Sequence, residues 1–100
     1  MFFDTTKIPK KVYIVKVHDL KILPPFFEEV IAGRKTFEMR FDDRGYAVGD
    51  IVLLHEWEHG QYSGRRVSAK ITYILRGFRG LKRRWVVFSF QIYGSTGVTE

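Results

Sequence analysis

The chain has 100 residues, 45% of them hydrophobic and 16% aromatic, which suits one compact domain with a real core and excludes a disordered chain. It contains no cysteine, so disulfides and thiolate chemistry are excluded, and a reducing compartment fits. The formal net charge of +6 is one-sided: residues 59–99 hold eight Lys or Arg and no Asp or Glu, whereas residues 1–58 carry nine basic against ten acidic side chains. A segment of that kind attracts polyanions, nucleic acid above all, although a solvated basic surface that only aids solubility is the plainer alternative. Charge alone carries no base preference. The start, MFFDTTKIPKK, lacks the apolar h-region of a signal peptide. No apolar run approaches the roughly 20 residues of a membrane helix. A soluble, cytoplasmic protein without a membrane partner is expected. Residues 1–11 read as an N-terminal extension, 12–93 as the domain and 94–100 as a C-terminal tail.

In chain order, VYIVKVH (residues 12–18) is β-branched and aromatic and reads as a strand. LPPFFEEVIAGRK follows. Its prolines open a helix over 24–33, Phe26, Phe27, Val30 and Ile31 make an apolar stripe, and Gly33 is a natural C-cap. Glu28 and Glu29 are read as lying near the positive end of that helix. KTFEMRF alternates, so Phe37, Met39 and Phe41 share one face, taken as the inner one, and Thr36, Glu38 and Arg40 share the other. DDRGYAVGD is turn material, DIVLLHEWE a strand and HGQYSGRR a hairpin connection. RRVSAKITYIL is a strand, RGFRGLKRR a basic loop or short helix, WVVFSFQI the last strand and YGSTGVTE a fraying tail. The fold class is therefore α+β, mainly β. Five or six short strands, not forming a parallel sheet, curl into a small barrel or partly open barrel closed by one main helix. Its expected core is Phe37, Met39, Ile51, Leu53, Ile71, Tyr73, Val86 and Phe88.

HEWEH, residues 55–59, matches the H-E-x-x-H pattern of zinc peptidases. On a helix, residues four apart lie about 6 Å apart along the axis, and both histidines grip one metal. On a strand, four residues span roughly 13 Å, too far for ligand bonds near 2 Å. The flanking DIVLL is β-branched and turn-bounded, so no metal site and no cofactor is expected.

GRKTFEMR, residues 33–40, carries more. It sets Lys35 just past a helix end, and Glu38 and Arg40 two apart on one strand face. A carboxylate accepts N–H groups of a base or amide, while two cations hold phosphate or polarise a carbonyl. An ordinary surface ion-pair cluster has the same spacing. The segment HDLKILPPFFEEVIAGRKTFEMR, His18 to Arg40, resembles the signature of the ASCH superfamily, whose fold is PUA-like. The resemblance rests on a strand, a Pro-opened helix and G-x-K-x-x-E-x-R, here Gly33, Lys35, Glu38 and Arg40. DDRGYAVGDIVLLHEW, YSGRRVSAKITYIL and GLKRRWVVFSF extend it over roughly residues 12–92, similar to a bacterial and phage branch of that superfamily. It departs at Arg83 and Arg84, which replace a short Gly-aromatic step.

The resemblance implies a β-barrel with a cleft beside the helix, lined by Lys35, Glu38 and Arg40, and RNA, nucleotides or modified nucleobases as ligands. Lys21 and Arg44 are expected as rim contacts, and Arg83 and Arg84 as phosphate contacts; RNA or a nucleotide is the expected partner, with DNA as a lesser one. Trp57, Tyr62 and Trp85 offer stacking surfaces, although each reads more readily as core than as platform. The alternative implied is a metal-independent hydrolase of acetylated cytidine or RNA, with Lys35 and Glu38 catalytic. The amidohydrolases of that superfamily share AGRKT, here Ala32–Thr36, but carry a threonine where Glu38 stands. They also use a late glutamate that residues 59–99 do not supply. A third reading is a small accessory interaction protein of a phage or mobile element. The sequence leaves the oligomeric state open.

Overall fold

A computed structural model describes residues 14–99 and shows a five-stranded sheet with one helix. The elements are β1 (Val17–Ile22), α1 (Pro24–Ile31), β2 (Phe37–Phe41), β3 (Ile51–Glu58), β4 (Gln61–Arg76) and β5 (Trp85–Thr96). The strand order is β1-β3-β4-β5-β2. The sheet is mixed: β1 runs parallel to β3, and the other three pairings are antiparallel. Register shifts at His55/Trp57, Ser68/Ala69 and Ile71/Tyr73 bend the strands and strengthen their twist, curling the sheet into a half-barrel.

Local chemistry explains the helix and the tight turn. Leu23 in extended conformation precedes Pro24 and Pro25, whose fixed φ starts α1 where no N–H is needed. The helix ends in a Schellman motif: the Gly33 N–H donates to Val30 O and the Arg34 N–H to Glu29 O, with Gly33 at φ 78°. α1 thus stops at Ile31, two residues short of the expected end, and Glu28 and Glu29 lie beyond its first turn, away from the positive end. Phe27 and Val30 are fully buried, while Phe26 is half exposed. His59 and Gly60, both at positive φ, make the two-residue turn between β3 and β4, so the expected connection shrinks to two residues and β4 starts at Gln61. HEWEH accordingly lies on a strand and its turn, not on a helix.

Several strand limits differ from expectation, the end of β1 among them, at Ile22 rather than residue 18. The first strand starts at Val17 and leaves residues 14–16 outside it: Lys16 O accepts from the Ile51 N–H, and β3 itself begins at Ile51. Of the expected strand, residues 12 and 13 lie outside the described residues. At the other end, β5 continues to Thr96, which pairs with Arg66, so the expected fraying tail is strand as far as that residue. β4 and β5, at 16 and 12 residues, are long rather than short.

The core gathers Leu20, Ile22, Phe27, Val30, Tyr46, Val52, Leu54, Val67, Ala69, Ile71, Val86, Phe88 and Phe90. Ile71, Val86 and Phe88 fulfil the expectation. Ile51 and Leu53 are only partly buried, because the buried parity of β3 runs through Val52 and Leu54. Tyr73 is exposed, the register shift next to it having turned it outward. On β2 the faces are reversed. Phe37, Met39 and Phe41 are 48%, 55% and 40% exposed, and Glu38, opposite Phe88, is 5% exposed. A carboxylate can take the inner face because two cations accompany it there.

Candidate ligand cleft at the open seam of the half-barrel

The edge strands β1 and β2 face each other across the opening of the half-barrel. Between them lies an open cleft of about 620 Å³, within the ~300–1,000 Å³ typical of small-ligand sites. Its walls are Leu20–Leu23, Phe26, Lys35, Phe37–Phe41, Asp43, Arg44, Tyr46 and Trp85.

The local fold places the charges. The Schellman turn delivers Lys35 at the foot of β2, with its own N–H donating to Glu29 O. The Lys35 ammonium donates to Glu38 Oε1 and, at 2.6 Å, to the Phe37 carbonyl. Arg40 donates from Nε to Glu38 Oε2 at 2.9 Å. Glu38 is thus held between two cations, both of its oxygens engaged. Arg40 also reaches across the opening, donating from Nη2 to Lys21 O at 2.7 Å, and Arg44 donates to Asp19 O at 2.9 Å. Two arginines therefore strut the seam where main-chain ladder bonds would close a complete barrel.

Five of the seven expected site residues, Lys21, Lys35, Glu38, Arg40 and Arg44, line this one cleft. Lys21 contributes main chain: its ammonium sits 3.9 Å from the Trp57 ring centroid. Arg84 stands apart in a smaller pocket with Asp42, Arg76 and Trp85, its guanidinium 4.9 Å from the ring of Phe41. Arg83 is exposed on the adjoining loop and lines no described cleft. Of the three expected stacking rings, Trp85 lines the cleft while Trp57 and Tyr62 do not, and Phe26 and Tyr46 line it although the sequence does not single them out for it. Tyr46 lay in what reads as turn material, and no local pattern marks it. Its ring packs on His18 at 4.8 Å and Phe88 at 5.1 Å, and burial pushes its hydroxyl pKa up.

Two further polar clusters were not legible. His18 Nε2 and Asp50 Oδ2 meet at 2.8 Å, both side chains buried. Burial opposes the charge on Asp50, but hydrogen bonds from His18 and the Ala47 and Lys16 N–H groups outweigh it and hold its pKa below the ordinary value. Arg65 joins Glu56, at 3.0 and 2.6 Å, to Glu28 on α1, and its guanidinium covers Phe27. The Arg65 hydrogen bond holds the Glu56 pKa low against burial. Of the HEWEH histidines, His55 bonds Asp19 at 2.7 Å and His59 stands 3.4 Å from Glu58. Among the described residues no three His, Asp or Glu side chains converge as a metal site, and no helix is long and apolar enough to cross a membrane.

Fold and cleft together define a small, mainly β half-barrel with one helix and a charged cleft along its open seam. A family model described as "Domain of unknown function (DUF3850)" matches residues 17–90, from the start of β1 into β5, and the chain belongs to that family. It is also similar to the "Uncharacterized 12.9 kDa protein in GpA 3'region" of Escherichia phage P2, 42% identical over 59 residues. That alignment covers 59% of this chain and 54% of the phage protein, so the chain spans about half the length of that relative.

Proposed function

We propose that this protein is an ASCH-like, PUA-like binding module of the cytoplasm that takes RNA or a nucleotide in the seam cleft. The observation that carries this reading is the convergence of Lys35, Glu38 and Arg40 on one open cleft of nucleotide size, beside the half-exposed rings of Phe26 and Phe37. Lys35, Arg40 and Arg44 outnumber Glu38 and Asp43 there, so the cleft favours an anion. Glu38 orients the two cations, and the rings give a base a surface to stack on. The basic second half of the chain supplies a sequence-independent attraction to phosphates.

The hydrolase alternative asks for a free amine on Lys35. That side chain instead donates to a carbonyl and a carboxylate, which favours holding an anion over attacking a carbonyl. The test is titration of a dye-labelled single-stranded RNA and of the four nucleoside monophosphates into parent, Lys35→Ala and Arg40→Ala proteins. Parent binding that falls at least tenfold in both variants is expected. Equal binding by all three would remove the cleft from the reading, and turnover of RNA or acetylated cytidine lost in Lys35→Ala would replace a binder with an enzyme.

A further inference from the structure

Main-chain groups at a strand edge recognise ligands as well as side chains do, and the seam has two such edges. Which groups point into it follows from the pairing. On β2, the Phe90 N–H donates to Thr36 O and the Asp42 N–H to Arg84 O, so Thr36 and Asp42 turn their main chain toward β5. By antiparallel alternation Glu38 and Arg40 do the same, and Phe37, Met39 and Phe41 present N–H and C=O to the seam. The carbonyls of the outer two are engaged: Phe37 O accepts from Lys35 and Phe41 O from the Asp43 N–H. Across the gap, Lys21 O and Asp19 O accept from Arg40 and Arg44. Met39 is the β2 residue whose N–H and C=O both face the cleft with no hydrogen-bond partner among the described residues.

A donor and an acceptor side by side on one strand edge complement any molecule that offers an acceptor next to a donor in one plane. The Watson–Crick edge of every nucleobase has that pattern. We propose that the Met39 main chain reads the Watson–Crick edge of an unpaired base in the cleft, with the base phosphate toward Lys35 and Arg40. This inference rests on the nucleotide-binding reading above and deepens it: the ligand is a free or unpaired nucleotide, because pairing would occupy the edge that Met39 reads. An added peptide strand, the other common occupant of a free edge, needs an unobstructed lane. The struts from Arg40 to β1 and from Arg44 to β1 cross that lane and leave room for a compact ligand instead.

The Met39 side chain points off the edge, half exposed and beside Gly80–Lys82, so main-chain and side-chain contributions separate cleanly. Met39→Ala deletes the side chain and keeps the N–H. Met39→Pro deletes the N–H as well, at an edge position where proline costs no bond of the β2–β5 ladder. Calorimetric titration uses the four nucleoside 5′-monophosphates and their forms methylated at N1 of purines or N3 of pyrimidines. For at least one base, Met39→Pro is expected to bind at least tenfold more weakly than Met39→Ala, which lacks the same side chain but keeps the N–H, and the methylated nucleotide at least tenfold more weakly than the unmethylated one to the parent itself. The methylated probes need no variant, so a Met39→Pro protein that fails to fold does not block the test. If methylated and unmethylated nucleotides bind alike while Lys35→Ala weakens both, the cleft binds phosphate and the Met39 inference falls alone. If no nucleotide binds, or an extended peptide binds in its place, the underlying reading falls with it.

Discussion

Glu38 shows how much one side chain can organise. It is 5% exposed, and both oxygens accept charge-assisted bonds, from Lys35 on one side and Arg40 on the other. Removing one member of a buried ion pair leaves the others desolvated and uncompensated, which costs several kcal/mol when burial is complete. Lys35 and Arg40 keep 18% and 26% of their side-chain surface in water, so the cost is discounted to about 2 kcal/mol. Glu38→Gln is therefore expected to lower the urea midpoint and also to weaken nucleotide binding, by freeing the two cations from their fixed positions. A variant as stable as the parent would remove Glu38 from this role. Asp50 answers to pH. Its folded-state pKa lies below the ordinary value, so its contribution is complete above the ordinary carboxylate pKa of about 3.9 and fades as pH falls through the folded value. Asp42 and Glu56 are lowered too and share this acid limb. Asp50→Asn should be less stable than the parent at pH 7, with a shallower loss between about pH 5 and 2, read from denaturation midpoints across that range. Parallel profiles would contradict it.

At the level of elements, the β3–β4 turn holds one strained residue. His59 stands at φ 53° in a position that asparagine tolerates better. His59→Asn should raise stability by roughly 0.5–1 kcal/mol without altering the cleft, measured by thermal melting and nucleotide titration side by side. An unchanged or lowered melting temperature would refute it. A hairpin at this point was legible in the sequence, though not its two-residue length, and α1 was legible to within two residues of its end, because prolines at a helix start and glycine at a helix end act through their own backbone. β2 was legible only in part. Its alternation says that Glu38 and Arg40 share a face, but not which face is inside; that depends on Phe88 lying opposite Glu38, a partner 50 residues away in the chain. The Arg40 and Arg44 struts, the His18–Asp50 pair and the Arg65 cluster were hidden for the same reason. Each joins groups made neighbours by strand order alone, and nothing in the local spelling of VHDLKI or GRR announces the partner.

For the whole molecule, charge and topology matter most. Residues 59–99 carry all their ionised side chains as cations, so binding to RNA should weaken steeply as salt rises, with log affinity linear in log salt. Arg83→Glu with Arg84→Glu should flatten that slope and weaken all RNA sequences alike while sparing mononucleotides. A salt slope unchanged by the pair would place the phosphate contacts elsewhere. The topology imposes an order in time. β1 and β2 are separated in the chain only by α1 and its flanking turns, yet they occupy opposite edges of the sheet. Both walls of the cleft emerge early, but β3, β4 and β5, which hold them face to face, all come later. Such distant pairings form slowly, because chain closure precedes the contacts that reward it. During refolding, the ability to bind should therefore trail the appearance of strand structure. A chain halted before Trp85 would own Lys35, Glu38, Arg40 and Arg44 and still have no place to put a ligand.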